Sequence, residues 1–168
     1  MRWRAEKLPT IADFEEASGV QLWQPPGRAT MRVSSKHSRR GARSLMVETT
    51  PGTWSGVGVH CGRTSWSGYH ALVTELFSAA AEPFTLGVRI DDARSNPGYE
   101  ERFNGSVVIY PGWNTISIPT AEIAAGPKNG RLDMETIRRM VLFVGPEEPS
   151  RLFFVDDISL TNELHPPS

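Results

Sequence analysis

The stretch that decides the fold is LGVRIDDARSNPGYEERFNGSVVIYPGWNTISIP, residues 86–119. Apolar and polar residues alternate through GVRIDD, the two-residue period of a half-buried strand. A second such run, ERFNGSVVIY, follows a loop rich in turn residues, and a third, WNTISIP, begins after Pro111 and Gly112. Successive side chains of a strand point to opposite faces. Val88 and Ile90 therefore belong to one face of their strand, and Arg89 and Asp91 to the other. Phe103 joins the apolar set, and Arg102 and Asn104 face away from it. If the first two strands pair, Arg89, Asp91, Arg102 and Asn104 share one side of one sheet.

Working outward, short apolar or alternating runs bounded by turn residues predict further strands at 29–35, 43–49, 55–60, 70–78, 138–145 and 151–160. Helix candidates are short. One is DFEEASG at 13–19, and the other is a turn in LDMETIRRM that Asp133 caps and that runs to Ile137. The chain has 168 residues with 15 Gly and 13 Pro, which punctuate it too often for the crossovers of about a dozen residues that a parallel sheet needs. The expected class is all-β, a sandwich of two antiparallel sheets. At this length one domain is the default. It is placed at residues 1–162, followed by a tail or linker at 163–168.

The formal net charge of −1 lacks the electrostatic footprint of a nucleic-acid binder or of a protein held to anionic lipid. One local exception is KHSRRGAR, residues 36–43, which reads as a solvated turn or as a contact for an anionic polymer. No apolar run approaches the roughly 18 residues of a bilayer span, so direct membrane insertion is not expected. The N-terminal MRWRAEKLPTIADFEE has no apolar core of a secretory signal. The single cysteine, Cys61, rules out an internal disulfide framework and reads as a small buried hydrophobe.

A face carrying Arg89, Asp91, Arg102 and Asn104 suits a sugar, whose hydroxyls both donate and accept hydrogen bonds. A planar aromatic beside them would cover the apolar C–H face of a pyranose, and Trp54, Trp66 and Tyr99 are the candidates. Glu75 points away from Leu72, Thr74 and Leu76 and is a further candidate for the same face. Trp113 heads an alternating strand and suits a core or sheet-edge role. The competing reading is a solvent face whose charges pair across strands for well under about 1 kcal/mol. Asp91, Asp92, Glu100 and Glu101 offer carboxylates of the kind glycoside hydrolysis uses, but adjacent strand residues face opposite ways. Neither a GxSxG elbow, an HExxH pair nor a GxxxxGK[ST] loop is present.

In chain order, FEEASGVQLW, SKHSRRGARSLMVE, TSWSGYHALVTELFS, RIDD, YEERFN, PGWNTISIP, LDMETIRRMVLFV and LFFVDDISL resemble the galactose-binding-like jelly rolls of carbohydrate-binding modules. The likeness covers nearly the whole chain, residues 12–160. It implies a sandwich without chemistry of its own, one of whose sheets is concave and recognises a poly- or oligosaccharide. The alternative is a structural or protein-interaction domain of the same fold. The closest resemblance is to modules that accompany catalytic or membrane-anchor domains in larger bacterial proteins, which implies an extracellular or periplasmic location. It also implies a possible structural Ca2+ where the first strand, the loop around 37–41 and the last strand meet, with Asp13 or Glu15 and Asp156 or Asp157 as ligands. Arg39 and Arg40 in that loop oppose a dication.

Overall fold

A computed structural model of the chain describes residues 10–15, 22–23, 27–39, 41–94 and 99–162, with backbone alone at 22, 23, 27, 28, 62, 63 and 99. In chain order its strands are β1 (Thr10–Ala12), β2 (Leu22–Trp23), β3 (Gly27–Arg28), β4 (Thr30–Ser34), β5 (Ser44–Glu48) and β6 (Ser55–Thr64). They continue with β7 (Ala71–Ser78), β8 (Phe84–Asp92), β9 (Phe103–Ile109), β10 (Gly112–Pro119), β11 (Ile137–Val144) and β12 (Leu152–Thr161). One sheet has the order β10-β7-β12-β5-β4, with β1 also on β12. The other has the order β2-β6-β11-β8-β9, with β3 on β6. Every pairing is antiparallel except β3 with β6. The expected all-β sandwich and its strand positions agree with this architecture.

The core lies between the sheets and follows strand parity. Leu86, Val88 and Ile90 of β8, Met140, Leu142 and Val144 of β11, and Val57, Val59 and Cys61 of β6 meet Leu72 and Leu76 of β7, Phe153 and Val155 of β12, and Leu45 and Val47 of β5. Cys61 is fully buried, and burial pushes its thiol up to about 12, which keeps it an inert hydrophobe at neutral pH. Trp66, a candidate sugar contact by sequence, is also fully buried in this core. It is a packing residue with no ring face open to a ligand.

Besides a register shift between Thr10 and Ala12 of β1, two bulges and one corner depart from simple alternation. The register of β11 shifts between Ile137 and Arg139 against both neighbours. Ile137 thus stays in the core while Arg139 lies opposite Asp91 on the outer face. In β12 the shift falls between Asp156 and Ser159, where Asp157 adopts a left-handed φ of 53°, a conformation Asp tolerates better than most residues. The corner follows β9: after Pro111 the chain leaves the second sheet and β10 becomes the edge of the first. Asn114 holds that corner, accepting from the Tyr110 N–H at 2.9 Å and donating to the carbonyls of Tyr110 at 2.8 Å and Gly112 at 3.1 Å.

Of the helix candidates, residues 16–19 of DFEEASG lie outside the described residues, as does the tail at 163–168. At Asp133 the capping bonds form, with its carboxylate accepting from the Glu135 N–H and the Thr136 hydroxyl, but no helix follows: residues 134–136 make a single turn and Ile137 already opens β11. The one described α-helix, α1 (Thr120–Ala125), was not expected. Its TAEIAA is rich in helix formers and it tucks Ile123 and Ala124 inward.

Gly41 shows how the loop before β5 is fixed. It sits at φ 65°, and a Cβ there would come within 2.5–2.7 Å of the Glu15 carboxylate. Gly41→Ala is expected to destabilise the chain by about 1–2 kcal/mol, from left-handed strain and displacement of Glu15, measured by urea unfolding. A neutral substitution would mean that the loop rearranges freely.

Candidate functional site

The outer face of the second sheet gathers the polar residues of the β8–β9 hairpin. Arg89 of β8 lies directly opposite Asn104 of β9, and Asp91 lies opposite Arg139 of β11. Asp91 has no exposed surface. Its two carboxylate oxygens accept from Arg89 Nε and Nη2, both at 2.8 Å. Oδ2 also accepts from Arg139 Nε at 3.0 Å and Nη2 at 2.5 Å. Burial pushes this carboxyl up, but the hydrogen bonds and charges of Arg89 and Arg139 outweigh it and hold Asp91 below the usual carboxylate range. Beside them, Arg102 Nε donates to Asn104 Oδ1 at 3.1 Å.

Sequence parity thus placed Arg89, Asp91, Arg102 and Asn104 on one face, and the hairpin pairing brings them together. The role of Asp91 is nevertheless different from a sugar contact. A carboxylate with no accessible surface and two guanidinium partners positions Arg89 and Arg139. Arg139 was not among the residues expected here.

The apolar part of the face is built around Phe143. Its ring lies across Gly87 on the neighbouring strand, so closely that a Cβ on Gly87 would be 2.4–2.8 Å from ring atoms. Trp54, just before β6, meets Phe143 edge to face with ring centroids 5.7 Å apart and remains 59% exposed. An exposed indole standing on a partly covered phenyl ring gives the face an aromatic shelf next to its guanidinium cluster. His60 pairs with Arg139 across β6 and β11. Burial, then the charges of Arg139 and Arg138, push its imidazole down, so it stays neutral at pH 7 with one nitrogen to donate and one to accept. Gly87 and Phe143 were legible only as a strand glycine and a core-like aromatic.

The other sequence candidates fall elsewhere. Glu75 points outward as its parity requires, but on the first sheet, where it accepts from the Thr115 hydroxyl at 2.8 Å. It is not part of the Arg89 face. Tyr99 begins a single 3-10 turn (Tyr99–Glu101), and its side chain lies outside the described residues. Of the other carboxylates, Asp92 at the end of β8 is buried and accepts from Arg94 Nε, from the Arg94 N–H and from the Asp133 N–H at 2.9 Å. Glu100 accepts from Asn129 Nδ2 at 3.0 Å. These groups tie loops together.

At the corner expected to hold calcium, several of the oxygens already receive protons. Glu15 accepts from the N–H groups of Ala42 at 2.8 Å and Arg43 at 3.1 Å, and Asp156 Oδ2 accepts from the Arg39 N–H at 2.6 Å. Asp13 accepts from the Glu15 N–H. The His37 and Gly41 carbonyls receive the hydroxyls of Ser44 and Ser38, and Arg40 of this loop lies outside the described residues. Among the described residues no three His, Cys, Asp or Glu side chains gather to hold a metal ion. Calcium takes about six to eight oxygens, and to gather them here it would have to displace the N–H donors on Glu15, Asp13 and Asp156 Oδ2. Excess EDTA is accordingly expected to leave the melting temperature unchanged, and added Ca2+ to leave it unraised, by scanning calorimetry.

No helix among the described residues is long and apolar enough to cross a membrane. No protein-family model and no curated protein sequence matches the chain. Solved structures do. A family 30 carbohydrate-binding module of a cellulosomal cellulase of Clostridium thermocellum superposes at a TM-score of 0.68 with 15% identity, covering 93% of this chain and 98% of that one. A segment of an exo-β-agarase superposes at 0.66 with 15% identity, covering 94% of this chain and 25% of that one. A family 11 carbohydrate-binding module from Clostridium thermocellum, in complex with a β-1,3-1,4-mixed-linked tetrasaccharide, superposes at 0.72 with 20% identity, covering 92% of this chain and 95% of that one. The chain therefore has the jelly-roll fold of these carbohydrate-binding modules.

Proposed function

We propose that the chain is a noncatalytic carbohydrate-binding module that holds a poly- or oligosaccharide on the outer face of its second sheet. The observation that carries this reading is the juxtaposition of the Arg89 and Arg139 guanidiniums, fixed on buried Asp91, with the exposed Trp54 ring standing on Phe143. Arginine supplies donors only, and Asn104 and neutral His60 supply acceptors, so the face can both give and take hydrogen bonds from hydroxyl groups. The aromatic shelf removes the apolar face of a pyranose from water. Asp91 fixes the two arginines before a ligand arrives, which reduces the ordering cost of binding.

Catalysis finds no support at this face. A glycosidase needs a protonated acid opposite a second carboxylate. Asp91 and Asp92 fall on opposite sides of the strand, and both are held ionised by arginine partners despite burial. The tetrasaccharide in the family 11 neighbour makes mixed-linkage β-glucan the first ligand to try, and the agarase likeness makes agar oligosaccharides the second. The agarase match to a quarter of a longer chain also suits a module carried in a larger extracellular or periplasmic protein beside catalytic or membrane-anchor domains.

A glycan array followed by titration calorimetry tests the reading. At least one glycan should bind, Arg89→Ala should weaken it about tenfold or more, and long incubation should release no new reducing ends. No response to any glycan, together with a stable complex in a pull-down from the source proteome, would favour a protein-interaction domain.

A further inference from the structure

The outer face of the first sheet carries a groove of about 400 Å3 beside its edge strand β4. Small-ligand clefts span about 300–1,000 Å3. The floor is apolar, formed by half-buried Met46 and Leu152 over the buried Phe154 ring. The rim is polar: Arg32 and Lys36 are exposed and have no ion-pair partner among the described residues, and Ser34 adds a hydroxyl. Among the described residues Glu48 is the one carboxylate lining the groove, which leaves a surplus of positive charge there.

An aromatic strip continues from the groove across the sheet. His37 stands edge-on to Phe154 with centroids 4.7 Å apart and stacks on Phe77 at 3.8 Å, and Phe77 meets Trp113 at 5.4 Å. The exposed Arg39 guanidinium lies 5.4 Å over the Trp113 ring and 3.9 Å from the Glu75 carboxylate, its ion-pair partner. Lys36, His37 and Arg39 all come from KHSRRGAR, the basic cluster that the other sheet leaves unused. Of that turn, Lys36 lines the groove, and His37 and Arg39 belong to the aromatic strip beside it.

We infer that this groove is a second saccharide-binding site, one that takes an anionic sugar bearing carboxylate or sulfate groups. Arg32 and Lys36 offer donors and positive charge without acceptors, the complement of such groups, and contacts to an ionised oxygen are about twice as strong as neutral ones. Ser34 and Glu48 exchange hydrogen bonds with sugar hydroxyls. Met46 and Leu152 receive the C–H face. A neutral sugar would leave both cations facing only hydroxyls. The inference does not require the glycan reading of the opposite face, since Trp54→Ala disables that face separately.

The test titrates the full chain with polygalacturonate, a sulfated galactan, mixed-linkage β-glucan and poly-glutamate, from about 0.01 M to about 1 M NaCl, over which the screening length falls from about 30 Å to about 3 Å. Parent and Trp54→Ala are expected to bind one of the two anionic polysaccharides, more weakly as salt rises. The double variant Arg32→Ala/Lys36→Ala should lose about tenfold or more in that affinity with an unchanged melting temperature. The polymer that responds tells carboxylate from sulfate. Binding of neither anionic polysaccharide, parent-like affinity in the double variant, loss of binding in Trp54→Ala, or equal affinity for poly-glutamate would each overturn the inference.

Discussion

Asp91→Ala is expected to lower the unfolding free energy by about 3–5 kcal/mol, because it takes from the partly buried Arg89 and Arg139 the carboxylate they share. Against a total stability of about 5–15 kcal/mol that is a large fraction. Glycan affinity should fall in the same variant although Asp91 has no surface for a ligand to touch. The two guanidiniums it orients would repel and scatter. Combining Asp91→Ala with Arg139→Ala should cost less than the sum of the two single changes, because the second removes one of the stranded charges. Additive losses would show that the three groups do not act as a unit.

The same carboxylate sets a pH dependence. Its folded pKa is depressed, so its contribution is present above the unfolded carboxylate value of about 3.9 and is lost as pH falls through the lower folded value. Stability and glycan affinity should both hold from pH 7 to about pH 5 and decline together in more acidic solution. In Asp91→Ala the acid-side loss should be smaller, measured by urea unfolding at stepped pH.

Strand parity made much of this face legible before any coordinates. Val88, Ile90 and Phe103 alternate with Arg89, Asp91, Arg102 and Asn104, and once β8 and β9 pair, the second set has one side to occupy. Arg139 escaped the same logic because β11 reads IRRMVLFV, where apolar residues fill both faces and hide the alternation. The bulge between Ile137 and Arg139 then shifts which residue meets Asp91. Phe143 was hidden for the same reason, since an aromatic in an apolar run reads as core until its neighbour proves to be Gly87. Glu75 shows the complementary limit. Parity gives a residue its face within a sheet but not the sheet, and β7 joins the first sheet, not the one holding Arg89. Trp66 and Trp54 stand equally near turns in sequence, yet one fills the core and the other is open to solvent. Only long-range packing separates them.

Trp54→Ala is the complementary experiment, expected to weaken glycan binding at the outer face of the second sheet while leaving the fold in place. The indole is 59% exposed and, among the described residues, its aromatic neighbour is Phe143, so its loss should cost under about 1 kcal/mol of stability. Stacking a pyranose on it would withdraw on the order of 80 Å2 of apolar surface from water, worth about 2 kcal/mol at about 25 cal/mol per Å2. The corresponding loss is about 30-fold in affinity, and Trp54→Phe should recover part of it by restoring a planar face. Tryptophan emission gives an independent readout. A glycan that shifts the emission of the parent chain but not of Trp54→Ala reports on this ring, because that variant keeps Trp66, sealed in the core, and Trp113 on the first sheet. If Trp54→Ala keeps both its affinity and its emission shift, the ligand does not rest on this shelf. Arg89 and Arg139 would then be a cross-strand ion-pair network on a solvated sheet.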